Sequence, residues 1–191
     1  MNIDRIIVIG GSAGSFPVSN ILLTQIPKNF PIPIVFCMHR LKNIRHGFVE
    51  ALNLKTNIPV IEPQDKDKIK PNSIYLAPAN YHLLVDYDYT FAYSVAESVR
   101  YSRPSIDVLF ISTALVFGDK TIGILLSGAN TDGTEGMQAI HQQGGITIVQ
   151  DPATCTVQTM TQSAIENVPI QYVLPPEKII PTLISLIQKH S

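Results

Sequence analysis

The sequence predicts an α/β fold: a mainly parallel, doubly wound sheet with helices on both faces and an antiparallel hairpin at its edge. Short apolar runs, many of them β-branched, alternate with helical patterns along most of the chain. Such continuous apolar runs are typical of parallel strands that helices cover on both sides. The alternation stops once, at 82–95, where two strand-like runs flank a short polar turn, which indicates the hairpin.

The first part of the chain supplies three strands and two helices of this fold. Strands are predicted at 6–9, 33–38 and 73–78. Helices are predicted at 17–26 and 45–54, and the first of them has Pro17 near its first turn, where proline is well tolerated. The charged segment 62–72 is predicted to be a surface loop.

The part of the chain after the hairpin alternates regularly between helix and strand. The helix of the segment 103–117 has Pro104, Ser105 and Asp107 at its start, which are typical first-turn residues. The remaining predicted elements are a strand at 121–127, a helix at 133–143, a strand at 146–150, a helix at 157–166, a strand at 170–174 and a helix at 176–189.

Size and composition exclude several classes of protein. A chain of 191 residues suits a single domain, predicted to span 1–191, and a net charge of −1 without a basic stripe argues against nucleic-acid binding. Cys37 and Cys155 form no CxxC pair, so structural zinc is not expected. Asp4 and Arg5 interrupt any N-terminal apolar stretch, and no run reaches the roughly 18 apolar residues of a membrane span. We therefore expect a cytoplasmic protein without membrane insertion.

Three polar residues follow three predicted strands. Ser12 comes after the first strand, His39 after the second and Asp132 after the strand at 121–127. In a parallel sheet the carboxyl ends of the strands share one edge, where ligands bind. A serine hydroxyl needs a base such as imidazole, and the imidazole needs a carboxylate that orients it. The three residues therefore predict a Ser-His-Asp catalytic triad.

The glycines around the serine fit the same hypothesis. Gly10, Gly11 and Gly14 allow the sharp turn that presents Ser12, and the stretch matches the G-x-S-x-G pattern of nucleophile elbows. The order Ser, His, Asp differs from the Ser, Asp, His order of α/β-hydrolases. A dinucleotide fingerprint is disfavoured, because G-x-G-x-x-G spacing is missing and His39 stands where a ribose-binding acid is expected.

Each candidate also has a purely structural interpretation. Ser12 and Asp132 could cap the helices that follow them, and His39 could be a hydrogen-bonded scaffold residue. Cys37 lies two residues before His39, so a Cys–His pair on one strand face is a further alternative. The other histidines (His46, His82, His141 and His190) show no ligand spacing and are expected to be surface or scaffold residues.

Six ordered blocks of sequence resemble one known family. They are "VIGGSAGS", "FCMH", "YLAPANYHLLV", "RPSIDVLFIS", "ILLSGANTDGTEGM" and "GGITIVQDPATCTVQTM". Together they resemble the catalytic domain of the chemotaxis protein-glutamate methylesterases of the CheB type, over nearly the whole chain. The resemblance implies hydrolysis of glutamyl γ-methyl esters on chemoreceptor helices or a similar methylated protein, with glutamine deamidation as a possible side activity. It places Ser12 at the nucleophile, His39 at the base and Asp132 at the orienting acid.

The resemblance implies further roles and some departures. The backbone N–H groups of Ala13 and Ala129 are candidate oxyanion donors, and Arg103 is a candidate contact to an acidic group of the substrate. No metal or cofactor is implied. Ser15, Met38 and Ala129 stand where the family commonly has glycine, glutamine and methionine. The chain begins at the first catalytic strand, so we expect activity without a phosphorylated receiver domain.

Two other functions stay open at this point. The first is a non-catalytic module of the same fold that binds methylated or amidated receptor helices. The second, less favoured, is a nucleotide-binding protein of Rossmann type.

Overall fold

The computed structural model describes residues 3–39 and 47–189, which form nine strands and six α-helices. The strands are β1 (Ile6–Gly11), β2 (Ile34–Met38), β3 (Val60–Ile61), β4 (Ile74–Leu76), β5 (His82–Val85), β6 (Phe91–Ser94), β7 (Thr121–Leu125), β8 (Ile146–Gln150) and β9 (Tyr172–Leu174). The helices are α1 (Ser15–Gln25), α2 (Phe48–Asn53), α3 (Ile106–Phe117), α4 (Thr134–Gln142), α5 (Thr159–Asn167) and α6 (Pro176–Lys189).

Seven strands form one parallel sheet in the order β3-β4-β2-β1-β7-β8-β9. The chain starts in the centre at β1, builds one half of the sheet outward through β2, and then returns to the other side of β1 through β7. The order of the strands therefore reverses at β1. Crevices for ligands form beyond the carboxyl ends of strands at such a reversal.

Side chains of each central strand alternate between two hydrophobic layers. Ile7 and Ile9 pack in the layer that contains α1, α2 and α6. Ile6 and Val8 pack in the other layer, with α3, α4, α5 and the hairpin of β5 and β6. The sheet is thus covered on both faces, which explains its continuous apolar strands.

The predicted fold class is confirmed, and three details differ from the prediction. The antiparallel hairpin forms its own two-stranded sheet, tied to α3 by a hydrogen bond of 3.1 Å from Val85 N–H to the Ser112 hydroxyl. Strand β3 was not predicted, because its two residues are too few to give a periodic pattern. Helix α1 begins at Ser15, before Pro17. The first residues of the helix predicted at 45–54 lie outside the described residues.

A glycine in β1 allows the start of α3 to lie directly over the sheet. A Cβ atom at Gly10 would come within 2.4 Å of Cγ2 of Ile106, the first residue of α3. This close approach brings the N-terminus of α3 to the carboxyl ends of β1 and β2.

Among the helices of the described residues, none combines the length and the apolar character that crossing a lipid bilayer requires.

Candidate active site

Ser12 and His39 lie side by side at the carboxyl ends of neighbouring strands. Gly11 of β1 is in register with Met38 of β2, so Ser12 and His39 occupy the next step of the same ladder. The backbone N–H of His39 donates to the Gly11 carbonyl at 3.1 Å. By the alternation of side chains, both residues continue the row that faces α3. The sequence placed them on one edge, and the structure makes them neighbours.

His39 is bound to Asp132, which lies in the connection between β7 and α4. The imidazole Nε2 is 2.8 Å from Oδ2 of Asp132, and the Asp132 side chain is completely buried. The N-terminus of α3 supplies the other donors to this carboxylate. They are Ser105 Oγ at 2.9 Å, Ile106 N–H at 2.8 Å and Asp107 N–H at 2.9 Å. Each carboxylate oxygen therefore accepts two hydrogen bonds.

These contacts fix the charge of Asp132 and the tautomer of His39. Burial alone raises the pKa of Asp132, but hydrogen bonds from His39 and from the backbone N–H groups of Asp107 and Ile106 hold this pKa below its usual value. A carboxylate only accepts hydrogen bonds, so Nε2 of His39 carries the proton. In the neutral imidazole, Nδ1 is then the nitrogen with the free lone pair, which is the one that can act as a base.

A second buried acid, Asp107, mirrors Asp132. Its Oδ1 accepts hydrogen bonds of 2.8 Å from the backbone N–H groups of Gly133 and Gly136, at the start of α4. Asp132, just before α4, binds the start of α3, and Asp107, in the first turn of α3, binds the start of α4. Burial and the nearby charge of Asp132 raise the pKa of Asp107 to about 7.

Arg100 connects this pair of acids to the surface. Its Nε lies 3.4 Å from Oδ2 of Asp107, and its Nη2 donates to Glu135 at 2.7 Å. A groove of about 330 Å³ opens on this side of the site. Its lining includes Arg100, Thr131, Thr134, Glu135, Gln138 and Ser163.

Ser102, which the sequence analysis did not identify, forms a hydrogen bond with the second ring nitrogen of His39. The Ser102 hydroxyl is 3.1 Å from Nδ1 of His39, and Nδ2 of Asn130 donates to the same hydroxyl oxygen at 3.3 Å. Ser102 lies 63 positions after His39 and directly precedes the "RPSID" block. Only the folding of the preceding turn over the sheet edge brings it to the imidazole, so no local signal could have identified it.

Ser12 has a firmly held backbone and an uncommitted hydroxyl. Its N–H donates to the Ser127 carbonyl at 2.9 Å, and its carbonyl accepts from the Ser15 N–H at 3.0 Å and the Ser15 hydroxyl at 2.5 Å. Within residues 3–39 and 47–189, no hydrogen bond involves the Ser12 hydroxyl. The side chain is partly exposed, so this hydroxyl is open to the crevice.

Comparison with known proteins identifies the family. The family model for the CheB methylesterase matches residues 7–183. A curated relative from Leptospira interrogans is 43% identical over 190 residues, with 100% of this chain and 98% of the relative covered. The chain belongs to the CheB methylesterase family. The crystal structure of the Thermotoga maritima CheB methylesterase catalytic domain superposes with a TM-score of 0.92 at 32% identity, covering 95% of this chain and 98% of that chain.

The extent of the match differs among members of the CheB methylesterase family. The protein-glutamate methylesterase/protein-glutamine glutaminase of Nitrosospira multiformis is 33% identical over 186 residues, which are 97% of this chain and 52% of that protein. The chain thus corresponds to about half of that relative and to nearly all of the Leptospira one. The predicted family and its enzyme class, a methylesterase, are confirmed by these matches.

Two departures from the CheB methylesterase pattern contact each other. The Ser15 hydroxyl, which holds the Ser12 carbonyl, is 4.0 Å from the sulfur of Met38. Ser19 of α1 places its hydroxyl 3.8 Å from the same sulfur. Serine at 15 and methionine at 38 therefore form one packing unit beneath the Ser12 turn.

Two loops at this edge of the sheet carry the predicted oxyanion donors: Ala13 follows Ser12, and Ala129 lies between β7 and α4. Ala13 and Ala129 are exposed, and no described residue accepts a hydrogen bond from either backbone N–H. The Ser127 hydroxyl donates to the Ala13 carbonyl at 2.7 Å and so fixes the orientation of the turn.

The other candidates from the sequence have structural partners. The Arg103 Nη1 donates to the Val95 carbonyl at 2.9 Å and the Ala96 carbonyl at 3.0 Å, so this side chain holds the segment after the hairpin. Cys37 is buried in the core, and the ring nitrogens of His39 bind Asp132 and Ser102 rather than a thiol.

Of the remaining histidines, the structure describes His82 and His141, and His141 lies in the last turn of α4. His82 is buried, lies 3.0 Å from the Glu97 carbonyl and accepts from the Ser105 N–H at 3.2 Å, as a scaffold residue does. His46 and His190 lie outside the described residues. Within the described part of the chain, no group of three or more His, Cys, Asp and Glu side chains is arranged to hold a metal ion.

Proposed function

We propose that residues 1–191 form one catalytic domain that hydrolyses glutamyl γ-methyl esters on methylated chemoreceptor helices, or on a similar methylated protein, and releases methanol. Ser12 is the nucleophile, His39 the base and Asp132 the acid that orients the base. The observation that supports this most is the 2.8 Å bond between His39 Nε2 and a buried, ionised Asp132. His39 lies opposite Ser12 on the neighbouring strand, and the Ser12 hydroxyl is open to the crevice.

The first half of the reaction acylates Ser12. His39 accepts the Ser12 proton at Nδ1 while the Ser12 oxygen attacks the ester carbonyl, and Asp132 stabilises the imidazolium that forms. The backbone N–H groups of Ala13 and Ala129 donate to the oxyanion, a contribution for which one lost donor typically costs ~10²–10³ in rate. The tetrahedral intermediate then expels methoxide, which takes the proton from His39 and leaves as methanol.

The second half regenerates the enzyme. His39 takes a proton from water, the hydroxide attacks the glutamyl-serine ester, and Ser12 leaves with the proton that His39 returns. The products are a glutamate side chain and free Ser12. A glutamine side chain in the same position would release ammonia instead of methanol, which is the deamidation that the names of the relatives include.

Methanol release from a methylated receptor fragment tests this assignment. We expect Ser12→Ala and His39→Ala each to lower the rate by at least about 10³-fold, as for triad members. Ser94→Ala is the matched control, because the Ser94 hydroxyl, at the end of β6, has one hydrogen-bond partner among the described residues, the Ala96 N–H at 3.1 Å. Unchanged methanol release in Ser12→Ala would refute the nucleophile.

Labelling with a fluorophosphonate separates the enzyme from the alternatives. An activated Ser12 is modified at a serine that peptide mass spectrometry identifies, whereas a non-catalytic binding module of the same fold is not modified. A nucleotide-binding protein would show a higher melting temperature with added dinucleotide, which we do not expect.

A further inference from the structure

His39 can accept only one hydrogen bond through its ring nitrogens while it is neutral. A neutral imidazole has one N–H donor and one acceptor nitrogen. Nε2 donates to the ionised Asp132, so Nδ1 is the single acceptor, and the Ser102 hydroxyl fills it at 3.1 Å. Ser12 and Ser102 therefore compete for one lone pair.

The donors in this cluster run in one direction. Nδ2 of Asn130 donates to the Ser102 oxygen, which leaves the Ser102 proton to donate to Nδ1 of His39. Nε2 of His39 donates to Asp132, and the Ser105 hydroxyl donates to the other Asp132 oxygen. Every proton in this series of hydrogen bonds has an acceptor. The hydrogen bond from Ser102 to His39 is therefore stable in the free enzyme.

A strained turn delivers Ser102 to the imidazole. Val99 and Ser102 exchange backbone hydrogen bonds of 3.1 and 2.8 Å around a two-residue turn. Both turn residues, Arg100 and Tyr101, have positive φ values, of 47° and 64°. This conformation is unfavourable for residues other than glycine. The resulting backbone strain persists only because the surrounding contacts hold the turn in place.

The tip of this turn is exposed beside the site. Tyr101 is 104% exposed, although it is large and aromatic, and it directly precedes Ser102. Arg100 anchors the other side of the tip through Glu135 and Asp107. Tyr101 is therefore free to contact a substrate, and a shift of this residue would move Ser102, its neighbour in the chain.

We propose that Ser102 is a positioning residue that holds the base nitrogen of His39 away from Ser12 in the free enzyme. Substrate docking against the Val99–Ser102 turn exchanges Ser102 for Ser12 at Nδ1. This inference rests on the proposed function, because it assumes that Ser12 is the nucleophile. Since the exchange subtracts from the free energy of substrate binding, Ser102 weakens binding of the substrate and leaves the chemical step in the bound state unchanged.

The substitution Ser102→Ala tests this arrangement. We expect fluorophosphonate to label Ser12 about fivefold faster, the factor for one neutral hydrogen bond of about 1 kcal/mol. With a methylated receptor fragment, we expect KM to fall by a similar factor while kcat stays within twofold. Ser102→Thr retains the hydroxyl and should restore both values. Ser94→Ala is again the matched control and should change neither.

Ser102→Cys covers the case in which the alanine variant does not fold. It preserves the size of the side chain but donates a weaker hydrogen bond, so labelling should accelerate by a smaller factor. Slower or unchanged labelling of Ser12 in folded Ser102→Ala or Ser102→Cys overturns the proposal. In that case the hydroxyl either assists the proton transfer or has no effect on it.

The failure of the proposed function has a different signature. If the unmodified protein is not labelled, or if Ser12→Ala is labelled at Ser102, then Ser12 is not the nucleophile. If Ser12 is labelled in the unmodified protein and labelling is lost in Ser12→Ala, then Ser12 is the nucleophile. The labelling rate of Ser102→Ala relative to the unmodified protein then decides the role of Ser102.

Discussion

Asp132→Asn should lower both the stability and the activity of the protein, because one carboxylate binds both the start of α3 and the His39 imidazole. The Oδ1 atom accepts from Ser105 and Asp107, and Oδ2 accepts from His39 and Ile106. An asparagine must present its NH₂ group to one of these donor pairs. With NH₂ on the Oδ1 side, the Ser105 hydroxyl can rotate to accept, but the Asp107 N–H loses its acceptor. With NH₂ on the Oδ2 side, the His39 ring changes tautomer, and the Ile106 N–H loses its acceptor.

The size of both effects follows from these contacts. A buried N–H without an acceptor costs about 1–3 kcal/mol, and the loss of a negative charge at the N-terminus of α3 costs about 0.3–2 kcal/mol. The free energy of unfolding should therefore fall by about 2–4 kcal/mol, or roughly 5–15 °C in melting temperature. In the proposed mechanism the His39 imidazolium loses its counter-charge in either orientation of the asparagine, so methanol release should fall by about 10²–10⁴-fold.

Two assays and two controls separate stability from catalysis. Thermal unfolding by circular dichroism gives the first quantity, and methanol release from a methylated receptor fragment, measured well below the melting temperature, gives the second. Ser12→Ala should lower activity without lowering stability, because no described residue hydrogen-bonds to its hydroxyl. Asp151→Asn should change neither, because within 3–39 and 47–189 the side chain of Asp151 accepts a hydrogen bond from the Ala153 N–H alone, which an asparagine oxygen can also accept. A loss of activity below tenfold in Asp132→Asn, or an unchanged melting temperature, would refute the reasoning.

Two further predictions concern a glycine and a buried acid. Gly14 and Gly144 share a φ of 80°, but an added Cβ meets Thr156 at 2.5 Å in the first case and no atom closer than 3.6 Å in the second. Gly144→Ala should therefore lower the free energy of unfolding, measured in urea, by about 1–2 kcal/mol through backbone strain. Gly14→Ala should lower it clearly more and should also abolish methanol release. Equal losses of stability in the two variants would contradict this. Asp107 has its pKa raised to about 7 by burial and by the charge of Asp132. Between about pH 4 and pH 7 the folded protein retains a proton that the unfolded chain has released, so this group makes the free energy of unfolding fall as pH rises. In Asp107→Asn that fall should be reduced by more than about 1 kcal/mol, as urea unfolding at pH 4.5, 6 and 8 would reveal; parallel curves for the two proteins would contradict the raised pKa.

Periodicity predicted the sheet and its helices well, because each central strand is apolar on both faces and each helix has recognisable ends. The two-residue strand β3 was not predicted, since the pairing of Val60 and Ile61 at the sheet edge depends on β4 rather than on a pattern of their own. The pairing of β5 and β6 was predicted from the turn between them, but the sequence did not indicate that they form a separate sheet.

The site was only partly predictable for a similar reason. Ser12, His39 and Asp132 follow strands, and strand ends can be read from local patterns. Ser102 reaches His39 only through the turn at Arg100 and Tyr101. Both turn residues have positive φ values, but neither is a glycine, asparagine or aspartate, so the sequence did not indicate a turn there. The reciprocal binding of α3 by Asp132 and of α4 by Asp107 is likewise tertiary, although both acids stand near helix starts.

Asp132 binds the helix α3 and Asp107 of α3 binds the helix α4, and this reciprocal arrangement affects how the sequences of distant homologues should be interpreted. A descendant that abandoned ester hydrolysis could replace Ser12 at little structural cost. It would still require an acid at 132 to join two helices. Retention of that acid therefore indicates that the scaffold is intact, whereas under the proposed mechanism the serine and the imidazole indicate that the chemistry has been kept.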